Sequence, residues 1–65
     1  MNINVNKIEA QLAENKMTKA DLAARSGIPR QSVSAILGRG RCEPRTAGRL
    51  AAGLGVPVAD ILETA

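Results

Sequence analysis

Short stretches of helical periodicity, interrupted by glycine and proline, are the feature that most limits what this chain can fold into. Within each stretch the apolar residues recur at i, i+3, i+4 or i+7, which places them on one face of an α-helix. Only the first six residues, MNINVN, alternate between polar and apolar side chains as a β-strand does, and we interpret them as a frayed lead-in. The periodicity therefore predicts an all-α fold.

Capping residues set the bounds of the first two predicted helices. The first helix begins near Asn4 or Asn6 and ends near Asn15. The second follows Thr18, whose hydroxyl can accept a hydrogen bond from an N–H group of the first turn. It ends at Gly27, a residue that can adopt the left-handed conformation found at helix ends.

Proline and glycine set the bounds of three further helices. Pro29 suits the first turn of the third helix, and the run Gly-Arg-Gly at 38–40 ends it. Pro44 opens the fourth helix, which ends at Gly55, and Pro57 opens a short fifth helix. The prediction is therefore a compact bundle of five helices joined by short connections.

Two glycines lie inside the fourth predicted helix, where a glycine is unfavourable. Gly48 and Gly53 should each cost about 0.8 to 1 kcal/mol relative to alanine. We expect both to be explained by close packing of helices in a small core.

Length and composition argue against an enzyme. The 65 residues have room for a single domain spanning 1–65, and folding such a chain buries only about 60% of its surface. The chain has no histidine and no aromatic residue, and its only cysteine is Cys42, which we interpret as an exposed thiol in a basic loop. These counts leave no set of ligands for a zinc site and no nucleophile paired with a base, so we expect no metal, no cofactor and no small-molecule ligand. With no membrane-spanning apolar run, the chain is expected in the cytoplasm.

Positive charge is concentrated in the middle of the chain. The segment Lys16–Arg49 contains eight cations and two anions, whereas the two flanking segments together contain one cation and four anions. Such a block indicates a surface that meets a polyanion. The alternative is an ordinary solvated surface without a partner.

The segment KADLAARSGIPRQSVSAILG, Lys19 to Gly38, carries the most informative motif. Two short helices that cross at about 90–120° through a tight turn need a small residue where they approach, a glycine in the turn and apolar residues on the second helix. Ala23, Gly27, Val33 and Ile36 meet these needs in that order.

This motif resembles the helix-turn-helix of the Cro and phage-repressor family, also called the XRE type. The resemblance continues through GRGRCEPRTAGRLAAGLGVPVADIL and covers roughly Val5 to Leu62. It implies a five-helix, lambda-repressor-like domain that binds double-stranded DNA, commonly as a homodimer. The setting that it implies is a bacterial or phage-encoded protein associated with the nucleoid.

The start of the second helix of the motif contains the residues expected to read bases. An α-helix fits the major groove, which is about 12 Å wide, with its N-terminal side chains at the base edges. Gln31 can pair with adenine, Arg30 can bind guanine or a phosphate, and Ala35 can touch a thymine methyl group. The predicted set is Arg30, Gln31, Ser32 and Ala35.

A second set of residues is expected at the DNA backbone. Thr18 and Lys19 begin the first helix of the motif, where free N–H groups suit a phosphate. By resemblance, Arg39, Arg41 and Arg45 contact phosphates around the following loop, with Arg45 best placed for the minor groove.

The function predicted from these features is a sequence-specific transcriptional regulator, a repressor that binds a near-palindromic operator as a homodimer. One alternative is an antitoxin or an accessory DNA-binding protein of a mobile element, and another is a protein-interaction module on the same fold. The predicted dimer surface rests on the resemblance alone and comprises Pro44, Arg45, Val56, Pro57 and Val58.

Overall fold

A computed structural model describes residues 1–63 of the chain, and these residues form an all-helical fold. The helices are α1 (Val5–Glu14), α2 (Lys19–Ser26), α3 (Arg30–Arg39), α4 (Pro44–Leu54) and a 3₁₀ helix (Val58–Ile61). The predicted fold class is confirmed. The fifth element is a single 3₁₀ turn instead of an α-helix, because its four residues lie between Pro57 and Leu62, both of which have extended backbone angles.

The ends of the helices follow the predicted capping chemistry closely. Asn4 caps α1, since its side-chain oxygen accepts a hydrogen bond from the N–H of Lys7 at 3.1 Å. Gly27 ends α2 with a φ of 73°, and Gly40 and Gly55 end α3 and α4 in the same left-handed conformation. Because only glycine adopts this conformation readily, the glycines mark these three helix ends in the sequence.

The end of α1 is formed without a glycine. Lys16 has a φ of 54°, and the N–H groups of Lys16 and Met17 donate to the carbonyls of Ala13 and Leu12 at 3.2 and 2.9 Å. This pair of bonds is the Schellman motif, in which the left-handed residue is normally glycine or asparagine. Met17 is half-buried and packs against the core, as expected of an apolar filler.

A single apolar core joins the five helices. Its members come from all of them and from the residues just before α1 and α3, and no polar or charged residue of 1–63 is buried. Helix α2 packs against α3 and α4, while the 3₁₀ helix packs against α1 and α4. The largest fully buried side chains are Ile8, Leu22, Val33, Leu50 and Ile61.

The two glycines inside α4 have different surroundings. A β-carbon on Gly53 would lie 3.1 Å from the backbone nitrogen of Ser26 and 3.2 Å from Cδ1 of Leu22, so Gly53 is needed where α4 meets α2. Gly48 is exposed, and a β-carbon there would meet nothing within 4 Å. Close packing therefore explains Gly53, and the same expectation for Gly48 is wrong.

The first four residues are not a frayed lead-in, as the sequence had suggested. Ile3 is buried, and two isolated antiparallel β-bridges pair Asn2 with Arg41 and Ile3 with Leu62. We call residues 1–4 the N-terminal bridge segment. The alternation in MNINVN reflects extended backbone, in which successive side chains point to opposite sides: Ile3 points into the core while Asn2 remains exposed.

Candidate nucleic-acid interface

Helices α2 and α3, with the turn at 27–29, form the predicted helix-turn-helix. Ala23 and Val33 are buried where the motif requires contact between its helices, and the N–H of Gly27 donates to the carbonyl of Ala23 at 3.0 Å. Pro29 precedes α3 and Arg30 is its first residue, one position later than the sequence suggested. Arg30 and Gln31 are both exposed at the start of α3, so this helix presents its N-terminal side chains to the solvent.

An open groove of about 900 Å³ lies between α3 and the start of α4. Three arginines line it, and we call it the arginine groove. Its polar and charged lining residues are Gln31, Ser32, Arg39, Arg41, Glu43, Thr46 and Arg49, and its apolar surface comes from Met1, Ile28, Pro29, Ala35, Ile36, Cys42 and Pro44.

The structure brings together three of the four residues predicted to read bases. Gln31, Ser32 and Ala35 line the arginine groove from the side of α3, whereas Arg30 is exposed outside it. The reason is helical spacing, since residues at i and i+4 share a face and the residue before them is turned away by about 100°. Arg30 and Gln31 therefore point to different sides of the same helix end.

The residues predicted at the DNA backbone are distributed over a wider surface. Arg39 and Arg41 line the arginine groove, while Arg45 is exposed on α4 outside its lining. Thr18 and Lys19 are exposed at the start of α2, which also lies outside the groove. The predicted contacts thus flank α3 instead of forming one cluster.

The start of α2 already holds a carboxylate. In a reciprocal capping box, the hydroxyl of Thr18 accepts from the N–H of Asp21 at 3.1 Å, and the carboxylate of Asp21 accepts from the N–H of Thr18 at 2.9 Å. These bonds, with the nearby Arg25, hold the pKa of Asp21 below its ordinary value of 3.8. A phosphate approaching Thr18 and Lys19 would meet this negative charge.

The start of α4 differs from the start of α2, because no side chain caps it. Glu43 occupies the capping position without a side-chain hydrogen bond, and Pro44 follows it as the first helical residue. The next backbone N–H groups, those of Arg45 and Thr46, precede the first intrahelical bond, which the N–H of Ala47 makes. The two helix starts each have one basic side chain and one carboxylate, and they differ in that the carboxylate of Glu43 accepts no hydrogen bond from the first turn of α4.

Sequence reasoning did not single out two polar groove residues on α4. Thr46 and Arg49 line the groove opposite Gln31 and Ser32. Their spacing held a signal, because Arg49 follows Arg45 by four residues and so continues a basic face of α4. Only the groove shared by α3 and α4 shows that Arg49 lies near the predicted base-reading residues.

Cys42 is half-buried against the core and is not the exposed thiol that the sequence suggested. Burial raises the pKa of its thiol above the ordinary value, although Arg39 opposes this shift. Cys42 therefore contributes an apolar, protonated side chain to the groove wall.

The residues predicted to form a dimer surface lie at the two ends of α4. Pro44 and Arg45 are at the start of α4, while Val56, Pro57 and Val58 follow its end. A helix of 11 residues is about 16 Å long, which separates the two groups. Val56 and Val58 are also half-buried against the core of their own chain.

Two other kinds of site are absent from residues 1–63. Residues 1–63 contain no group of three or more histidine, cysteine, aspartate or glutamate side chains arranged to hold a metal ion. No helix within this range has the length and apolar character needed to cross a membrane.

Comparison with known families agrees with the geometry. The family model for the Cro/C1-type HTH DNA-binding domain matches residues 7–65 of the chain, and the chain belongs to this family. Domains of this family are typically not enzymes. Neither the curated proteins nor the solved structures gave a match. The protein is therefore a DNA-binding protein of the Cro/C1 type.

Proposed function

We propose that this protein is a sequence-specific repressor that binds a near-palindromic operator as a homodimer. The observation that carries the proposal is the exposure of Gln31 and Ala35, with part of Ser32, on the face of α3 that borders the arginine groove. Repression would follow from occupying the promoter. Its place of action would be the chromosome, and hence the cytoplasm.

Base readout is assigned to the first turns of α3. The amide of Gln31 both donates and accepts, which matches the N6 and N7 groups of adenine in the major groove. Ala35 lies one turn further on and offers a methyl group to a thymine methyl. Arg30 reaches a guanine or a phosphate on the other side of the helix end.

Backbone contacts are assigned to the arginines on either side of this face. Arg39 and Arg41 lie along the arginine groove, and Arg45 belongs to the uncapped first turn of α4. Each phosphate that such a side chain neutralises releases condensed counterions, so the affinity falls as salt rises. Thr18 and Lys19 remain proposed phosphate contacts, weakened by the carboxylate of Asp21.

A homodimer is proposed because two copies of α3, one in each of two successive major grooves, read twice as many bases as one copy. Recognition helices in such dimers lie about 34 Å apart, which makes the operator near-palindromic. The proposed contact surface comprises Pro44, Arg45, Val56, Pro57 and Val58, which lie at the two ends of α4. Sedimentation of the protein with and without operator DNA measures the number of copies bound.

The test of the proposal is a titration of the protein onto a random-sequence DNA duplex and onto a duplex obtained by selection, at several salt concentrations. We expect the selected site to bind at least about 10³-fold more tightly than random DNA. We also expect the logarithm of the affinity to fall linearly with the logarithm of the salt concentration. Equal affinity for the two duplexes would refute sequence-specific regulation.

Single substitutions separate the two kinds of contact. Gln31→Ala should cost about 1 to 3 kcal/mol and relax the preference at one base pair, whereas Arg41→Ala should weaken binding to all sequences alike. Arg25→Ala is the matched control for the arginine variant, because Arg25 is exposed on α2 and does not line the arginine groove. A uniform loss from Gln31→Ala would place Gln31 among the phosphate contacts instead.

A further inference from the structure

The loop that carries Arg41 is attached to the N-terminal bridge segment by two main-chain hydrogen bonds. The N–H of Ile3 donates to the carbonyl of Gly40, and the N–H of Cys42 donates to the carbonyl of Met1, both at 3.0 Å. These bonds flank Arg41 on both sides and make it the bridge partner of Asn2. The backbone of Arg41 is therefore held at the residue before it and at the residue after it.

The other edge of the N-terminal bridge segment is hydrogen-bonded to residues 61–63. The N–H of Asn4 donates to the carbonyl of Ile61 at 2.7 Å, and the N–H of Glu63 donates to the carbonyl of Asn2 at 3.1 Å. Ile61 is fully buried, and the side chain of Ile3 is only 3% exposed. The segment thus connects a surface loop to the buried core through both its backbone and its side chain.

The geometry of the bridge determines which side chains face outwards. In an antiparallel pair of this kind, the two residues flanked by the hydrogen bonds lie about 4.5 Å apart at their Cα atoms and project to the same side. Because Ile3 projects into the core, its neighbour Asn2 and the paired Arg41 project away from it. Both are exposed, and Arg41 lines the arginine groove.

Among the three arginines assigned to phosphates around this loop, Arg41 is the one that needs such support. Arg39 belongs to α3 and Arg45 belongs to α4, so helical hydrogen bonds fix their backbones. Arg41 lies between these helices, where a free loop would lose conformational entropy when it binds. A loop that is already fixed loses less conformational entropy on binding, and its affinity for DNA is therefore higher.

We propose that the N-terminal bridge segment is a positioning element of the nucleic-acid interface, with Ile3 as its central residue. It holds Arg41 in the conformation that contacts a phosphate, and it does so without touching DNA through its own buried side chain. This inference rests on the proposed function and adds residues 1–4 to the parts of the chain on which DNA binding depends.

The test replaces the backbone amide of Ile3 by an ester, which removes its N–H and leaves its side chain unchanged. The matched control is the same replacement at Met17, whose N–H donates to the carbonyl of Leu12 at 2.9 Å, far along the chain from the loop. Both full-length proteins are titrated onto a random-sequence DNA duplex at several salt concentrations. The same esters are also made in the Arg41→Ala background.

We expect the Ile3 ester to reduce the salt slope towards the value of Arg41→Ala, a decrease of up to about 0.9 for one phosphate contact. In the Arg41→Ala background the Ile3 ester should have no further effect, and the Met17 ester should leave the slope unchanged in both backgrounds. The inference is wrong if the two esters weaken binding equally, or if the loss from the Ile3 ester adds fully to that from Arg41→Ala. Absence of salt-dependent binding by the unmodified protein would instead refute the proposed function.

A second measurement, made without DNA, tests the position of Arg41 even if the ester reduces the stability of the fold. The NMR order parameter of the Arg41 amide should fall in the Ile3 ester and not in the Met17 ester. If circular dichroism shows loss of helix, Ile3→Val and its matched control Ile8→Val replace the esters, since both remove one methylene from a buried isoleucine. An unchanged order parameter in the folded Ile3 variant would overturn the positioning role.

Discussion

Lys16 has a backbone conformation that its side chain does not favour. It is the one non-glycine residue of 1–63 with a positive φ, at 54°, and it ends α1. A β-carbon in the left-handed conformation lies too close to the following carbonyl oxygen. Lys16 is exposed, and no glycine or asparagine stands at its position. The sequence therefore does not indicate a left-handed residue here, whereas Gly27, Gly40 and Gly55 indicate the left-handed residues at the other three helix ends.

Replacing Lys16 by glycine should therefore stabilise the protein. Removing the β-carbon relieves about 1 to 2 kcal/mol of strain, and the greater freedom of glycine in the unfolded chain offsets about 0.5 to 1 kcal/mol of it. We expect Lys16→Gly to raise the free energy of unfolding by about 0.5 to 1 kcal/mol. Urea denaturation measures this change. Lys16→Ala is the control, and an equal gain from it would contradict the role of backbone strain.

Individual residues of the candidate site were predicted from their chemistry rather than from their surroundings. The exposure of Arg30 and Gln31 followed from the helix-turn-helix motif, and both are exposed in the structure. The inclusion of Arg49 in the arginine groove did not follow, because it depends on which face of α4 lies beside α3. The partial burial of Cys42 was missed because it depends on how the loop between α3 and α4 packs against the core.

At the scale of the helix, α4 offers an internal comparison between its two central glycines. Gly48 is exposed with open space around it, whereas a β-carbon on Gly53 would lie only 3.1 to 3.2 Å from atoms of Leu22 and Ser26. Alanine favours a helix over glycine by about 0.8 to 1 kcal/mol. We expect Gly48→Ala to stabilise the protein by about this amount and Gly53→Ala to destabilise it. Thermal unfolding of the two variants tests the pair, and stabilisation by both would contradict the tight contact between α2 and α4.

The capping box of α2 predicts a pH dependence. The pKa of Asp21 is lowered in the folded protein, so its ionised form stabilises the fold above the ordinary pKa of 3.8. This contribution is lost as the pH falls through the lowered value. We expect Asp21→Asn to reduce the stability near neutral pH, and the difference from the unmodified protein to vanish in acid. Urea denaturation from pH 7 down to pH 2 measures it, and a difference that persists at the acid end would contradict the charge effect.

Apart from the end of α1, the helix ends were predictable because local signals encode them. Thr18, Gly27, Pro44 and Gly55 each act within one turn of the chain. The N-terminal bridge segment was not predicted, although its alternation was visible. Its partners lie at residues 40–42 and 61–63, and no local rule reveals pairing over such a distance.

At the scale of the whole molecule, the excess of charge differs between two surface sites. Arg39, Arg41 and Arg49 outnumber Glu43 in the groove between α3 and α4, while Glu14 and Asp60 outnumber Lys7 where α1 faces the 3₁₀ helix. The unequal charge distribution along the sequence therefore corresponds to separate surfaces. Such a molecule approaches a polyanion with one face, which orients α3 before any base is read.

The central claim is that the exposed face at the start of α3 reads DNA sequence. In vitro selection of binding sites with the unmodified protein, Gln31→Ala and the matched control Gln11→Ala tests it most directly, because Gln11 lies on α1 outside the arginine groove. We predict that the unmodified protein and Gln11→Ala select the same near-palindrome. Gln31→Ala should keep its spacing and lose the preference at one base pair of each half-site. Selection of an unchanged sequence by Gln31→Ala would contradict the assignment of this face.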